Sequence, residues 1–134
     1  MDRVALITGA TSAIGAEAAR IFSRAGYAVE LAARRIGMLD DCAAQIASEG
    51  GQALAIEADV TLTADVEKMI SRTVKAYGGI DVAFNNAGSG VPPTSLADLG
   101  PTTFDDALKV TFAALFCACP PKSRRCLREV AGRS

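Results

Sequence analysis

The chain has 134 residues, half of them hydrophobic, with a formal charge of −1, two tyrosines, four cysteines and neither tryptophan nor histidine. That length supports one domain with its own core. The near-neutral charge gives no bulk attraction to nucleic acid or to a membrane surface, and no apolar run is long enough to span a bilayer.

Met1-Asp2-Arg3 runs straight into an apolar segment, leaving no room for a signal peptide, so a cytoplasmic location is expected. Val4-Ala5-Leu6-Ile7 predicts a buried strand over 3–7. The next stretch is Thr8-Gly9-Ala10-Thr11-Ser12-Ala13-Ile14-Gly15, which opens an amphipathic helix. On that helix Ile14, Ala18, Ile21, Phe22 and Ala25 share one face and Glu17, Arg20 and Arg24 the other. Gly26 supplies its stop. A second short apolar strand over 28–33 follows. Leu39, Cys42, Ala43, Ile46 and Ala47 then mark a second helix, closed by Gly50-Gly51. A strand over 52–57 leads to a third helix with Val66, Met69, Ile70, Thr73, Val74 and Tyr77 inward, closed by Gly78-Gly79. The fourth strand is expected over 80–84. After Asn85-Asn86-Ala87-Gly88 comes a Gly/Pro/Ser-rich loop. Then Thr102 or Thr103 is placed to cap a fourth helix carrying Phe104, Leu108, Phe112 and Leu115.

Strict alternation of strand and helix predicts an α/β, doubly wound parallel sheet. The expected strand order is 3-2-1-4, with a ligand crevice at the carboxyl ends where the winding reverses. The residues that bear chemistry fall at those ends.

At the first strand's end, small residues let backbone N–H groups approach an anion, and the following helix aims its positive dipole end at it. This reads as a pyrophosphate cradle made by Gly9, Thr11, Ser12, Ala13, Ile14 and Gly15. Its spacing is Gly-x-x-x-Ala-x-Gly rather than the usual Gly-x-Gly-x-x-Gly. A turn that merely links strand to helix is the alternative. The end of the second strand should reach the adenosine ribose, where an acid would select NAD. Here Ala33-Arg34-Arg35 stands instead. Arg34, with Arg35 beside it, can add a charge-assisted fork to a 2′-phosphate, which favours NADP(H) over NAD. The plainer reading is a pair of solvated loop charges. Asp59-Val60, after the third strand, can meet an adenine ring; a helix-entry aspartate beside Thr61 and Thr63 is the alternative. Asn86-Ala87-Gly88 permits close approach of a cofactor, or is a plain turn.

Cys42 falls on an apolar helix face and reads as a small core residue. Cys117, Cys119 and Cys126 cluster late in the chain with no histidine to complete a zinc site, so no metal is expected.

Together these residues resemble the short-chain dehydrogenase/reductase family. Thr8 to Gly15 matches its Thr-Gly-x-x-x-(Ala/Gly)-x-Gly loop, Arg34 the basic position of its NADP-preferring members, Asp59-Val60 its adenine contact and Asn85-Asn86-Ala87-Gly88 its Asn-Asn-Ala-Gly signature. Order and spacing agree from residue 3 to about residue 116. The resemblance implies a Rossmann-like fold, a nicotinamide dinucleotide, a small alcohol or carbonyl substrate, and a homo-oligomer. It implies no partnership with nucleic acid or membrane.

The departures concern catalysis. The family uses a serine and a Tyr-x-x-x-Lys pair. Four positions after Tyr27 is Leu31, and four after Tyr77 is Asp81. Thr111 stands where the family's fourth helix carries an asparagine. No catalytic residue is therefore assigned, and the chain reads as the cofactor-binding half of such an oxidoreductase. It is taken as incomplete after about four strand–helix units. Residues 1–117 form the incomplete domain. Residues 118–134, strongly basic and without an apolar period, form an aberrant tail that a shifted reading frame would explain. The alternatives are a non-catalytic NADP(H)-binding or interaction module, and a non-functional remnant.

Overall fold

A computed structural model of the chain describes residues 3–90 and 92–117. The expected tail, 118–134, lies outside the described residues. Strand and helix alternate as β1 (Arg3–Thr8), α1 (Ala13–Arg24), β2 (Tyr27–Ala33), α2 (Ile36–Ser48), β3 (Ala53–Glu57), α3 (Thr63–Tyr77), β4 (Val82–Asn85) and α4 (Pro101–Cys117), with one 3-10 turn at Leu96–Asp98. The strands are parallel in the order β3-β2-β1-β4. That is the order expected from right-handed crossovers. The winding changes direction between β1 and β4, so the carboxyl end of β1 lies at the switch point where open sheets of this kind form a crevice.

Strands covered on both faces need apolar residues at successive positions. Ile7, Val29 and Leu31 meet Ala19 of α1 and Leu39, Cys42 and Ile46 of α2 on one side. Leu6, Ala32 and Ile56 meet Val66 and Met69 of α3 on the other. Cys42 is a buried core residue, and burial pushes its thiol above the usual range. α3 ends where the sequence places its stop: Gly78 adopts the left-handed conformation at φ +86° and donates its N–H to the Val74 carbonyl at 2.8 Å.

Four expectations are corrected. First, α1 is turned away from its predicted face. Gly15 and Ala19 are buried and Ala16 and Phe22 pack against the core, whereas Ile14 is 68% and Ile21 60% exposed. The cause is close approach. A Cβ on Gly15 would sit 2.9 Å from the Ala10 Cα and from the Asn86 Nδ2, so the glycine side must face inward for α1 to start this near β1. Second, β4 begins at Val82, two residues later than expected, because Asp81 is engaged with the start of β1 while Ile80 packs under α3. Third, neither threonine caps α4. Pro101 takes its first position, where a missing N–H costs nothing, and Phe104 N–H bonds the Gly100 carbonyl at 3.2 Å. Phe104 and Leu108 on this helix are exposed, and the side chains of Phe112 and Leu115 lie outside the described ones. Fourth, β2 is not wholly apolar. Glu30 is fully buried, and among the described residues neither of its carboxylate oxygens has a hydrogen-bond partner. Burial pushes its carboxyl up to about 7, opposed by the Arg72 guanidinium.

Candidate functional site

The site grows from the turn after β1. Gly9 adopts φ +64°, and the Ser12 N–H closes the turn on the Gly9 carbonyl at 3.1 Å. Ser12 then caps α1, its Oγ accepting the Gly15 N–H at 3.0 Å. The turn is braced from the neighbouring strand. The Asn86 Nδ2 donates to the Gly9 carbonyl at 3.1 Å and to the Ser12 Oγ at 2.9 Å. The Thr8 Oγ1 accepts the N–H groups of both Asn86 and Ala87 at 3.2 Å. A Cβ on Gly9 would lie 2.9 Å from the Ala87 backbone, so the two segments meet without room for a side chain.

A cavity of about 720 Å³ opens above this turn. That is within the range of small-molecule and cofactor sites. Gly9, Thr11 and Ser12 form its base; Arg34 and Arg35 come from the end of β2, Asp59 and Val60 from the end of β3, and Asn86, Ala87 and Gly88 from the end of β4. Ten of the residues singled out in the sequence thus line one space. Ala13, Ile14 and Gly15 are not among its lining: Ala13 and Ile14 are exposed on the first turn of α1, and Gly15 is buried beneath it.

The electrostatics are mixed. Arg34 and Arg35 are exposed, and among the described residues neither makes a salt bridge. The Asp59 Oδ1 accepts the Thr61 N–H at 2.9 Å and the Thr61 hydroxyl at 2.6 Å. Those hydrogen bonds hold its carboxyl below the usual range, with the nearby Arg34 charge assisting. Asp59 is not the cap of α3, since Leu62 occupies that position. Asp65 instead reaches back from the first turn of α3 to accept the Asp59 N–H at 2.8 Å.

One wall was not legible. Asp106, Lys109 and Val110 of α4 also line the cavity. Their three- and four-residue spacing puts them on one helical face. Nothing in that spacing says which way the face points. Thr111 is the next residue on this helix and is exposed. No group of metal-ligating side chains occurs among the described residues, and no helix among them is long and apolar enough to cross a membrane.

A family model described as short chain dehydrogenase matches residues 3–133. An A-factor type gamma-butyrolactone 1'-reductase (1S-forming) of Streptomyces virginiae is 35% identical over 133 residues, covering 99% of this chain and 52% of that relative. Among solved structures, a metagenomic short-chain oxidoreductase in complex with NADP superposes with a TM-score of 0.81 at 30% identity, covering 87% of this chain and 53% of that one. An alcohol dehydrogenase from the archaeon Thermococcus sibiricus, complexed with 5-hydroxy-NADP, gives a TM-score of 0.82 at 30% identity, covering 87% and 50%. The chain therefore spans about half the length of the relatives it matches.

Proposed function

The chain belongs to the short chain dehydrogenase family, and from that premise we propose that residues 1–117 form the cofactor-binding part of an oxidoreductase interconverting alcohols and carbonyls. The nicotinamide dinucleotide, when bound, supplies the hydride chemistry. The residues here hold and orient it. The observation that carries this reading is the small-residue turn at Gly9, packed so closely against Ala87 that an added Cβ would clash. Such packing brings backbone N–H groups and the start of α1 to one point, which suits a diphosphate.

NADP(H) is proposed over NAD. Arg34 and Arg35 line the cavity where the ribose end of the nucleotide would lie, and Asp59 shares that lining and feels the Arg34 charge. Thr61 occupies the Asp59 Oδ1, leaving Oδ2 to accept from an adenine amino group. Val60 offers the ring an apolar side. Replacing Arg34 with alanine tests the assignment. Losing a charge-assisted hydrogen bond should weaken NADPH by roughly tenfold or more. NADH should be unaffected, and equal losses for both would refute it.

Proton transfer is not assigned to this chain. Neither tyrosine begins a Tyr-x-x-x-Lys pair. Tyr77 is raised above its ordinary pKa by burial, with the buried Glu30 charge adding to it. That is the wrong direction for an acid–base group working near neutrality. The 134-residue chain should bind NADPH without reducing carbonyl compounds. Robust turnover would contradict the assignment of a binding role alone. That same feature favours the second reading, a non-catalytic NADP(H)-binding or interaction module; both readings predict no turnover from this chain, and a partner pull-down with and without residues 118–134, run beside the NADPH titration, separates them.

A further inference from the structure

We propose that Asn86 is a positioning residue that fixes the direction of the Ser12 hydroxyl proton, so that Ser12 presents a one-way hydrogen-bond donor to the diphosphate of the dinucleotide. This rests on the cofactor-binding reading above and adds to it a division of labour between the two side chains.

The Gly9 carbonyl can only accept, and the Asn86 side-chain atom 3.1 Å from it is Nδ2. That contact fixes which end of the amide faces the turn, because an amide oxygen there would meet a second acceptor. The same Nδ2 lies 2.9 Å from the Ser12 Oγ. An amide nitrogen only donates, so the serine oxygen accepts. The Gly15 backbone N–H, 3.0 Å from the same oxygen, also only donates. A hydroxyl has two lone pairs and one proton. Both lone pairs are taken, and the proton has to point elsewhere. Ser12 is exposed and lines the cavity, so the remaining direction is into the space where the ligand binds.

Two consequences follow. A free serine hydroxyl rotates, and binding must immobilise it. Here two bonds from different parts of the chain have already set its rotor. The site is also polarised: it accepts a ligand oxygen that bears lone pairs and refuses a donor. Asn86 therefore acts through Ser12 rather than by touching the cofactor with its side chain.

The test is a cycle of variants of the 134-residue chain, titrated with NADPH and, separately, with adenosine 2′-monophosphate, which lacks the diphosphate. Ser12→Ala should weaken NADPH by about tenfold, the worth of a charge-assisted hydrogen bond, and leave the monophosphate within about twofold. Ser12→Thr, which keeps the hydroxyl, should stay within about threefold of the unaltered chain. Asn86→Ala should weaken NADPH by about threefold or more, yet add less than about twofold when Ser12 is already alanine. A residue that only held the strand ends together would give losses that multiply, and multiplicative losses overturn the proposal. Should Asn86→Ala fail to fold, the Ser12 variants decide alone: undiminished NADPH affinity in Ser12→Ala overturns it, and a loss confined to NADPH and rescued by threonine supports it. No NADPH binding by the unaltered chain would overturn both this inference and the reading beneath it. Normal binding with an unexpected Ser12 result would overturn this inference only.

Discussion

Asp81 and Val4 are bonded to each other twice across 77 positions of sequence: the Val4 N–H donates to the Asp81 Oδ2 at 2.7 Å, and the Asp81 N–H donates to the Val4 carbonyl at 2.9 Å. This clasp sets the β1–β4 register at its amino end. At the carboxyl end the same two strands carry Thr8 and Asn85, which are register partners and lead directly into the turn and the Asn86 brace. One side chain at the bottom of the sheet thus helps to align two halves of the site at the top.

Asp81→Ala should destabilise the chain by on the order of 1–2 kcal/mol, because it removes a bond to a charged acceptor and leaves the Val4 N–H without its partner. Asp81→Asn keeps an accepting oxygen and should recover most of that loss. Urea denaturation of the two variants checks the order.

Glu30 gives the fold a pH dependence. Its carboxyl is raised from an ordinary 4.5 to about 7, first by burial and against the pull of Arg72. Below pH 4.5 it is neutral folded and unfolded alike, and its burial carries no ionisation penalty. As pH rises toward 7 the unfolded chain ionises while the folded chain retains the proton, so stability falls, and it levels off above the folded value. The full effect is about 3 kcal/mol at 1.36 kcal/mol per unit. Tyr77 on α3 feels the same charge. Chemical denaturation across this range should show the decline, and Glu30→Gln should flatten it. A stability that rises from pH 5 to 7.5 in the unaltered chain and not in the variant would contradict the assignment.

Lys109 is expected to matter for binding and not for stability. Its Nζ is 3.8 Å from the Asp106 Oδ1 and both side chains are largely exposed, so the pair contributes next to nothing to folding. It nevertheless lines the cavity with Arg34 and Arg35. Lys109→Gln should leave the melting temperature unchanged and lower NADPH affinity by about threefold, with a weaker dependence on salt. Unchanged affinity would remove α4 from the nucleotide's electrostatic surroundings.

The sheet order and the three helices of the first three units were legible because strand and helix periods differ and the glycine stops are regular. The convergence of ten singled-out residues on one cavity was legible for a related reason: in a doubly wound sheet every carboxyl end faces one crevice, so local motifs converge without any knowledge of side-chain contacts. What stayed hidden depended on pairs far apart in sequence. The inward face of α1 follows from Gly15 meeting Gly9 and Asn86, which outweighs the apolar spacing of Ile14 and Ile21. The cavity wall from Asp106 to Val110 needs the path of the whole loop before α4. The burial of Glu30, in a segment that reads simply as an apolar strand, needs β1, β3 and α3 packed around β2. Asp81, noted in the sequence only as a residue that is not lysine, is a structural clasp.

The central claim is that the bend between β1 and α1 is shaped to receive a diphosphate. Its most direct test is a fluorescence titration of the 134-residue chain with NADPH, run beside Gly15→Val, with circular dichroism to establish that both are folded. A valine there would press on the Gly9 carbonyl, the Ala10 Cα and the Asn86 amide, so the account predicts a saturable signal for the unaltered chain and its loss in the folded variant. A flat titration of the unaltered chain, or undiminished affinity in Gly15→Val, would contradict it.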